Sequence, residues 1–247
     1  MKELNKGIGI WQILNSNLIT DIIASAKFDF VLIDLEHGLH SLETIQNCVF
    51  TASASGMKTI VRFPSIDFEE VVQVIETGID GVLFPHIETK NDVERIIKKT
   101  FLPPIGDKSY SPFVSKYNYG LNMEIHHNEP SLGLLIESLL GINNLPILLK
   151  NKNVKFVYFG AYDLSLELKI PGQIFHPKII DNLKILIKNA HSEDKRIMSI
   201  YRNNEELKKL INLGVDLPIS SVDTFHLANK LNNETSYYKE IKNSDFF

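Results

Sequence analysis

The chain has 247 residues, 44% of them hydrophobic and 23% charged, with a formal net charge of −4. That balance excludes a basic nucleic-acid surface, and pairs such as Lys98-Lys99 and Lys208-Lys209 fall on expected helix faces, where solvated charge is the ordinary state. The single cysteine, Cys48, excludes an internal disulfide. No charged-then-apolar leader opens the chain and nothing approaches the roughly 18–20 apolar residues of a membrane span, so a soluble, cytoplasmic protein is expected.

In chain order, short apolar runs alternate with amphipathic segments. Strands are expected over 7–12, 28–34, 58–63, 81–86, 132–138, 155–160, 196–201 and 217–222. Helical faces lie between them: Leu18, Ile19, Ile22, Ile23 and Ala26 first, then Val71, Val72 and Ile75, then Leu207, Leu210 and Ile211. Gly56, Gly78 and Gly214 stand where left-handed caps close helices. Cys48, in an apolar helical context, reads as a small buried hydrophobe. The one long irregular stretch, Phe101 to about Pro130, reads as a lid or subunit-contact loop at the barrel mouth. Eight strand–helix units with no break in composition predict one α/β domain over 1–247, a closed (β/α)8 TIM barrel.

Chemistry in such a barrel gathers at the C-terminal ends of the strands. Those ends carry Asp34-Leu35-Glu36-His37-Gly38, Arg62, Pro85-His86, Glu137, Asp163 and Asp223. Glu137 and Asp163 are hard oxygen donors suited to a divalent cation such as Mg²⁺. Asp163 suits a helix cap equally well, and Arg62 taken singly is an ion-pair arginine. His37 gains weight from Asp34, three residues earlier and able to orient an imidazole. His86, His126, His127, His176 and His226 show no ligand-like spacing and read as structural; Asp223-Thr224 reads as a cap for the last helix.

Absences narrow the chemistry further. No lysine closes a strand, and Lys58 and Lys155 open theirs, which argues against a Schiff-base aldolase. The seventh and eighth strands are not followed by a glycine-rich phosphate cradle. Gly7-Ile8-Gly9 leads into a strand rather than out of one, unlike a dinucleotide fingerprint. What is left is a metal site, a small unphosphorylated carboxylated substrate, and proton transfer at carbon beside a carbonyl.

The stretches Phe28 to Gly38, Val61-Arg62-Phe63-Pro64, Gly81 to Pro85, Pro103 to Gly106, Ile136-Glu137-Ser138, Phe159 to Ser165 and Ser221 to Thr224 resemble, in order, the HpcH/HpaI aldolase family of metal-dependent pyruvate aldolases. The resemblance implies a pyruvate-binding barrel with Glu137 and Asp163 as ligands for Mg²⁺ or Mn²⁺, Co²⁺ or Zn²⁺ being alternatives. It implies that Arg62 holds the keto acid and stabilises its enolate, that His37 with Asp34 moves protons, and that backbone amides at Gly160-Ala161 meet the substrate carboxylate. Glu76 falls where the family carries an aspartate that reaches a neighbouring subunit's site, so a homo-oligomer (a hexamer, or a trimer or dimer) is implied. The implied reaction joins pyruvate to an aldehyde or cleaves a 4-hydroxy-2-keto acid. A citrate-synthase-like or CoA-ester lyase, or a degenerate barrel that only binds, are the rival readings. Departures from the family pattern are Lys108-Ser109 in place of Arg-Gly, Leu135 in place of a glutamine, and Ala161-Tyr162 in the element leading to Asp163.

Overall fold

The structure, a computed structural model, describes residues 6–121 and 129–243. The first half runs β1 (Gly9–Gln12), α1 (Asn17–Ser25), β2 (Phe30–Asp34), α2 (Leu42–Ala54), β3 (Lys58–Arg62), α3 (Val71–Glu76), β4 (Gly81–Phe84) and α4 (Lys90–Thr100). The second runs β5 (Ser131–Ile136), α5 (Leu139–Asn143), α6 (Leu145–Leu148), β6 (Val154–Phe159) and α7 (Ala161–Glu167). It closes with α8 (Pro177–Ser192), β7 (Arg196–Tyr201), α9 (Asn204–Leu213), β8 (Leu217–Val222) and α10 (Asp223–Asn243). All strands are parallel, each pairs with its sequence neighbour, and β8 pairs with β1 to close the barrel. The eight expected strands all form: the seventh and eighth match their expected bounds, the fifth and sixth start one residue earlier, and the others are trimmed by one or two residues at an end.

The barrel interior is almost wholly apolar, because strands covered by helices outside and packed side chains inside are buried on both faces. Phe30, Leu32 and Leu83 are fully enclosed inside the barrel, and Phe84 and Phe159 are enclosed between the strands and the helices outside. Two glycines make room for rings at the N-terminal layer. A Cβ on Gly9 would stand 2.2 Å from the Phe30 ring, and one on Gly133 would stand 2.1 Å from that of Phe156. Cys48 is buried, and Gly56, Gly78 and Gly214 hold the expected left-handed backbone.

Three strand pairs are locked at their N-terminal ends by the same device. Asp29, Asp80 and Asp216 each precede an even-numbered strand and accept the backbone N–H of Ile8, Thr59 and Ile197 respectively, at 2.8, 3.0 and 3.0 Å. Each aspartate's own N–H donates back to the carbonyl of the same residue. The β5–β6 pair has Asn153 at that place, without this exchange, and there the register shifts between Leu132 and Gly133.

Two expectations need correction. The stretch from Phe101 joins α4 to β5, so it lies at the N-terminal face, opposite the mouth; His126, His127 and the rest of 122–128 lie outside the described residues. Asp107 N–H donates to the Lys98 carbonyl and Lys108 N–H to that of Phe101, tying the loop to the end of α4. Length marked the loop as unusual, but only its place after a helix and before a strand decides the face. On α1, Ile23 and Ala24 are buried whereas Leu18 and Ile22 are exposed, so the apolar arc is wider than this barrel covers. From Phe225 to Lys242, α10 is exposed along its whole length. Among the described residues no helix is long and apolar enough to cross a membrane.

Asp80→Ala removes the acceptor for the Thr59 amide and the partner of Lys58, whose ammonium sits 2.8 Å from it. Losing a partly buried acceptor costs about 1–3 kcal/mol. The urea midpoint should fall accordingly; an unchanged midpoint would show that this lock contributes nothing.

Candidate active site

Parallel pairing in register brings Asp34, the last residue of β2, beside Arg62, the last of β3. Arg62 Nε donates to Asp34 Oδ1 at 2.9 Å and Nη2 to Oδ2 at 2.5 Å, a two-pronged, charge-assisted pair that fixes the guanidinium plane. Nη1 reaches Glu36 Oε2 at 3.0 Å, and the guanidinium carbon lies 4.8 Å from the Trp11 ring centre. Burial alone would lower the arginine's pKa, but the Asp34 bonds and the Asp34 and Glu36 charges raise it. Trp11 is itself held by its indole N–H, which donates to Tyr158 Oη at 2.9 Å.

Glu137 follows the last residue of β5 and is only 7% exposed. A Cβ on Gly160 would sit 2.3 Å from that of Glu137, so the glycine at the end of β6 is what lets the glutamate occupy this place. His86, in left-handed backbone (φ +55°) after β4, donates its amide to Glu137 Oε1 at 2.9 Å, and its Nδ1 is also 2.9 Å from that oxygen. Burial pushes the Glu137 carboxyl up to about 7; the His86 contacts oppose this, while the Asp163 and Glu36 carboxylates add to it.

Asp163 lies in the first turn of α7, exposed. The Gly160 cap position makes no side-chain bond, and no hydrogen bond or ion pair of the Asp163 carboxylate is seen among the described residues, so it does not cap that helix. Asp34, His37, Arg62, Glu137, Gly160, Ala161 and Asp163 line one cavity of about 280 Å³ at the C-terminal ends of the strands. Trp11, Ile13, Ile200 and Val222 supply its apolar wall, and Leu135 and Tyr162, two departures from the family pattern, face it as well.

Several expected details change. Asp34 accepts the backbone N–H of His37 at 3.3 Å rather than orienting its ring; both carboxylate oxygens are taken by Arg62, and the His37 imidazole is left at the exposed rim. The Gly160 N–H is committed to the Ile136 carbonyl at 2.9 Å and does not point at a substrate. Glu76 ends α3 at the opposite face, with its carboxyl pushed up by burial and pulled down by Lys108 and Lys116. Lys108 belongs to that end too, buried with no hydrogen-bond partner at its ammonium among the described residues. Asp223 does accept the Thr224 amide, but it also takes the amides of Ile13 and Leu14 and so pins the loop after β1.

Sequence reasoning set His86 aside for want of ligand spacing, yet it is the hydrogen-bond partner of Glu137; its position at a strand end was the available signal. His40 also went unnoticed: its Nε2 lies 3.3 Å from the Gln12 carbonyl, its Nδ1 is buried without a partner, and burial lowers its pKa. The His-Gly-x-His spacing was its only trace.

Among the described residues no three His, Cys, Asp or Glu side chains converge as a closed metal site. Two carboxylates with open space beside them remain a fitting donor set for a hard cation that keeps positions for water and substrate. Asp34, Glu36, Glu137 and Asp163 stand against the single guanidinium of Arg62, and this surplus of negative charge is the feature a cation would offset.

A parallel eight-stranded barrel with acids and an arginine at its C-terminal mouth defines the class of protein. The HpcH/HpaI aldolase/citrate lyase family model matches residues 7–229, and the chain belongs to that family. A 2-keto-3-deoxy-L-rhamnonate aldolase of Salmonella gallinarum (strain 287/91 / NCTC 13346) is 22% identical, over 98% of this chain and 92% of its own. A 4-hydroxy-2-oxo-heptane-1,7-dioate aldolase of Escherichia coli is 25% identical, over 90% of this chain and 86% of its own. A solved structure of an HpcH/HpaI aldolase/citrate lyase family protein from Burkholderia cenocepacia J2315 superposes with a TM-score of 0.89 at 19% identity, covering 95% of each chain. The aldolase relatives support a lyase.

Because the Glu137 pKa rises from 4.5 to about 7 on folding, the cost of its burial is absent below 4.5, grows between the two values and is complete above 7. In EDTA-treated protein, Glu137→Gln should therefore be about 1–3 kcal/mol more stable than wild type near pH 8 and about equal near pH 5. Urea denaturation at the two pH values checks this, and an identical difference at both would refute the titration.

Proposed function

We propose that this protein is a divalent-cation-dependent class II aldolase that cleaves or forms a 4-hydroxy-2-keto acid from a pyruvate-like donor and an aldehyde. The carrying observation is the mouth itself, where buried Glu137 and open Asp163 share a cavity with Arg62 and four carboxylates meet one guanidinium. Glu137 and Asp163 are the residues to hold the cation, and their oxygen donors suit Mg²⁺ or Mn²⁺, with Co²⁺ or Zn²⁺ also admissible. When bound, it supplies Lewis-acid polarisation of the donor's keto group.

The rest of the work falls to side chains already in place. Arg62, locked by Asp34 and Glu36, faces the cavity with a fixed guanidinium able to offset charge developing on an enolate oxygen as the carbon–carbon bond breaks. His37 stands at the rim with its ring free of hydrogen bonds among the described residues, and takes the proton from the 4-hydroxyl. His86 holds Glu137 Oε1 from both its amide and its ring, so that carboxylate keeps one orientation. Ile13, Ile200, Val222 and Leu135 favour an aldehyde with an apolar substituent.

The protein works as a homo-oligomer in this reading. Leu227, Leu231 and Tyr238 are exposed at helical spacing on α10, and Leu18 and Ile22 are exposed on α1. Two apolar faces that one barrel leaves uncovered suit a second copy of the chain. Glu76, remote from its own mouth, is then available to a neighbour's.

A panel of 4-hydroxy-2-keto acids should release pyruvate, and EDTA should abolish the release. Turnover confined to a CoA thioester would move the protein to the condensing enzymes, and a folded chain with neither turnover nor metal would make it a binding barrel. Glu137→Ala should lose metal in elemental analysis while keeping its circular dichroism; unchanged metal content would discard that ligand. Arg62→Lys, which cannot reproduce the fork, should lower kcat by about 10²–10³-fold. Removing α10 after residue 223 should reduce the mass in light scattering to that of a monomer; an unchanged mass would place the interface elsewhere.

A further inference from the structure

The opposite end of the barrel holds a second cavity, about 580 Å³, with charge of the other sign. Its floor is apolar, made by Ile60, Phe156, Met198 and Leu217 from inside the barrel. Its wall carries Lys58, Lys150, Lys152, Lys155, Lys195 and Arg196, against Asp80, Glu193 and Asp194. With Arg196 set aside, five lysines against three acids leave a surplus of two positive charges in a chain whose net charge is −4.

Among the described residues only one of these lysines is in a direct ion pair. Lys58 is matched by Asp80 at 2.8 Å. Lys195 has no direct ion pair among the described residues: only 7% exposed, its ammonium donates to the Asn151 carbonyl at 3.2 Å, Lys155 opposes its charge, and the Glu193 and Asp194 carboxylates offset it only from a distance. A buried ammonium beside a like charge is costly unless an anion joins it. Part of the reason lies in the β5–β6 pair. Where the other three pairs bring an aspartate to the strand start, this one has the neutral Asn153, so no carboxylate stands there beside Lys152 and Lys155.

We propose that this N-terminal cavity binds an organic anion bearing at least two carboxylate or phosphate charges, with its apolar body on Phe156 and Met198 and its charges on Lys150, Lys155 and Lys195. The site is independent of the chemistry at the mouth, since the cavities share no lining residue.

Phthalate and phenyl phosphate carry the two kinds of charge on one apolar ring and serve as probes, with sulfate as the anion without a body. Calorimetry on the EDTA-treated full chain should give a Kd of about 1 mM or tighter for at least one ring probe at low salt. Sulfate should bind more weakly, and added salt should weaken all three. The stronger ring probe tells carboxylate from phosphate. Lys150→Ala with Lys155→Ala, both exposed positions, should weaken binding ~tenfold, and Lys195→Met by at least as much. Arg62→Leu should leave it unchanged, and the emission of Trp11, the only tryptophan and a residue of the mouth, should not respond. No measurable heat with either ring probe overturns the proposal. So does affinity indifferent to the lysine variants, or affinity lost with Arg62.

Discussion

A carboxylate above an apolar barrel core has to be compensated, and the burial of Glu137 sets the terms for the rest of the mouth. Water cannot surround it, so its oxygen takes two contacts from His86 and its proton affinity rises toward neutrality. Gly160 is what allows this. Any side chain there would collide with the glutamate and displace its carboxylate.

Arg62 answers a different part of the same problem. Its two bonds to Asp34 consume the charge of one acid and fix the direction of the guanidinium, and Glu36 and Trp11 close it in from the other sides. The contacts that stabilise the arginine are therefore also the ones that aim it. Asp163 has no partner among the described residues, so the negative charge that remains is concentrated between it and Glu137.

Along the barrel axis the molecule is electrically polar. Acids prevail where the strands end, and lysines prevail around the cavity where they begin. The apolar layers between, with Phe30, Leu32 and Leu83 fully enclosed, keep the two ends apart. The proposed catalysis at one end and the proposed anion binding at the other are thus separable physical questions within one fold.

The sequence by itself determined the eight strands and their parallel order, because alternation of doubly buried runs with amphipathic helices has few other solutions. It also determined which acids and which arginine end those strands, since that follows once strand limits are legible. Tertiary structure decided what those side chains touch. The pairing of Asp34 with Arg62 rather than with the His37 ring, the grip of His86 on Glu137, and the removal of Glu76 and the Phe101 loop to the far face all depend on register and on which end of the barrel a connection crosses. Such contacts join residues 28 to 51 positions apart in the chain. Local pattern carries no information at that range; only closure of the sheet brings the partners together.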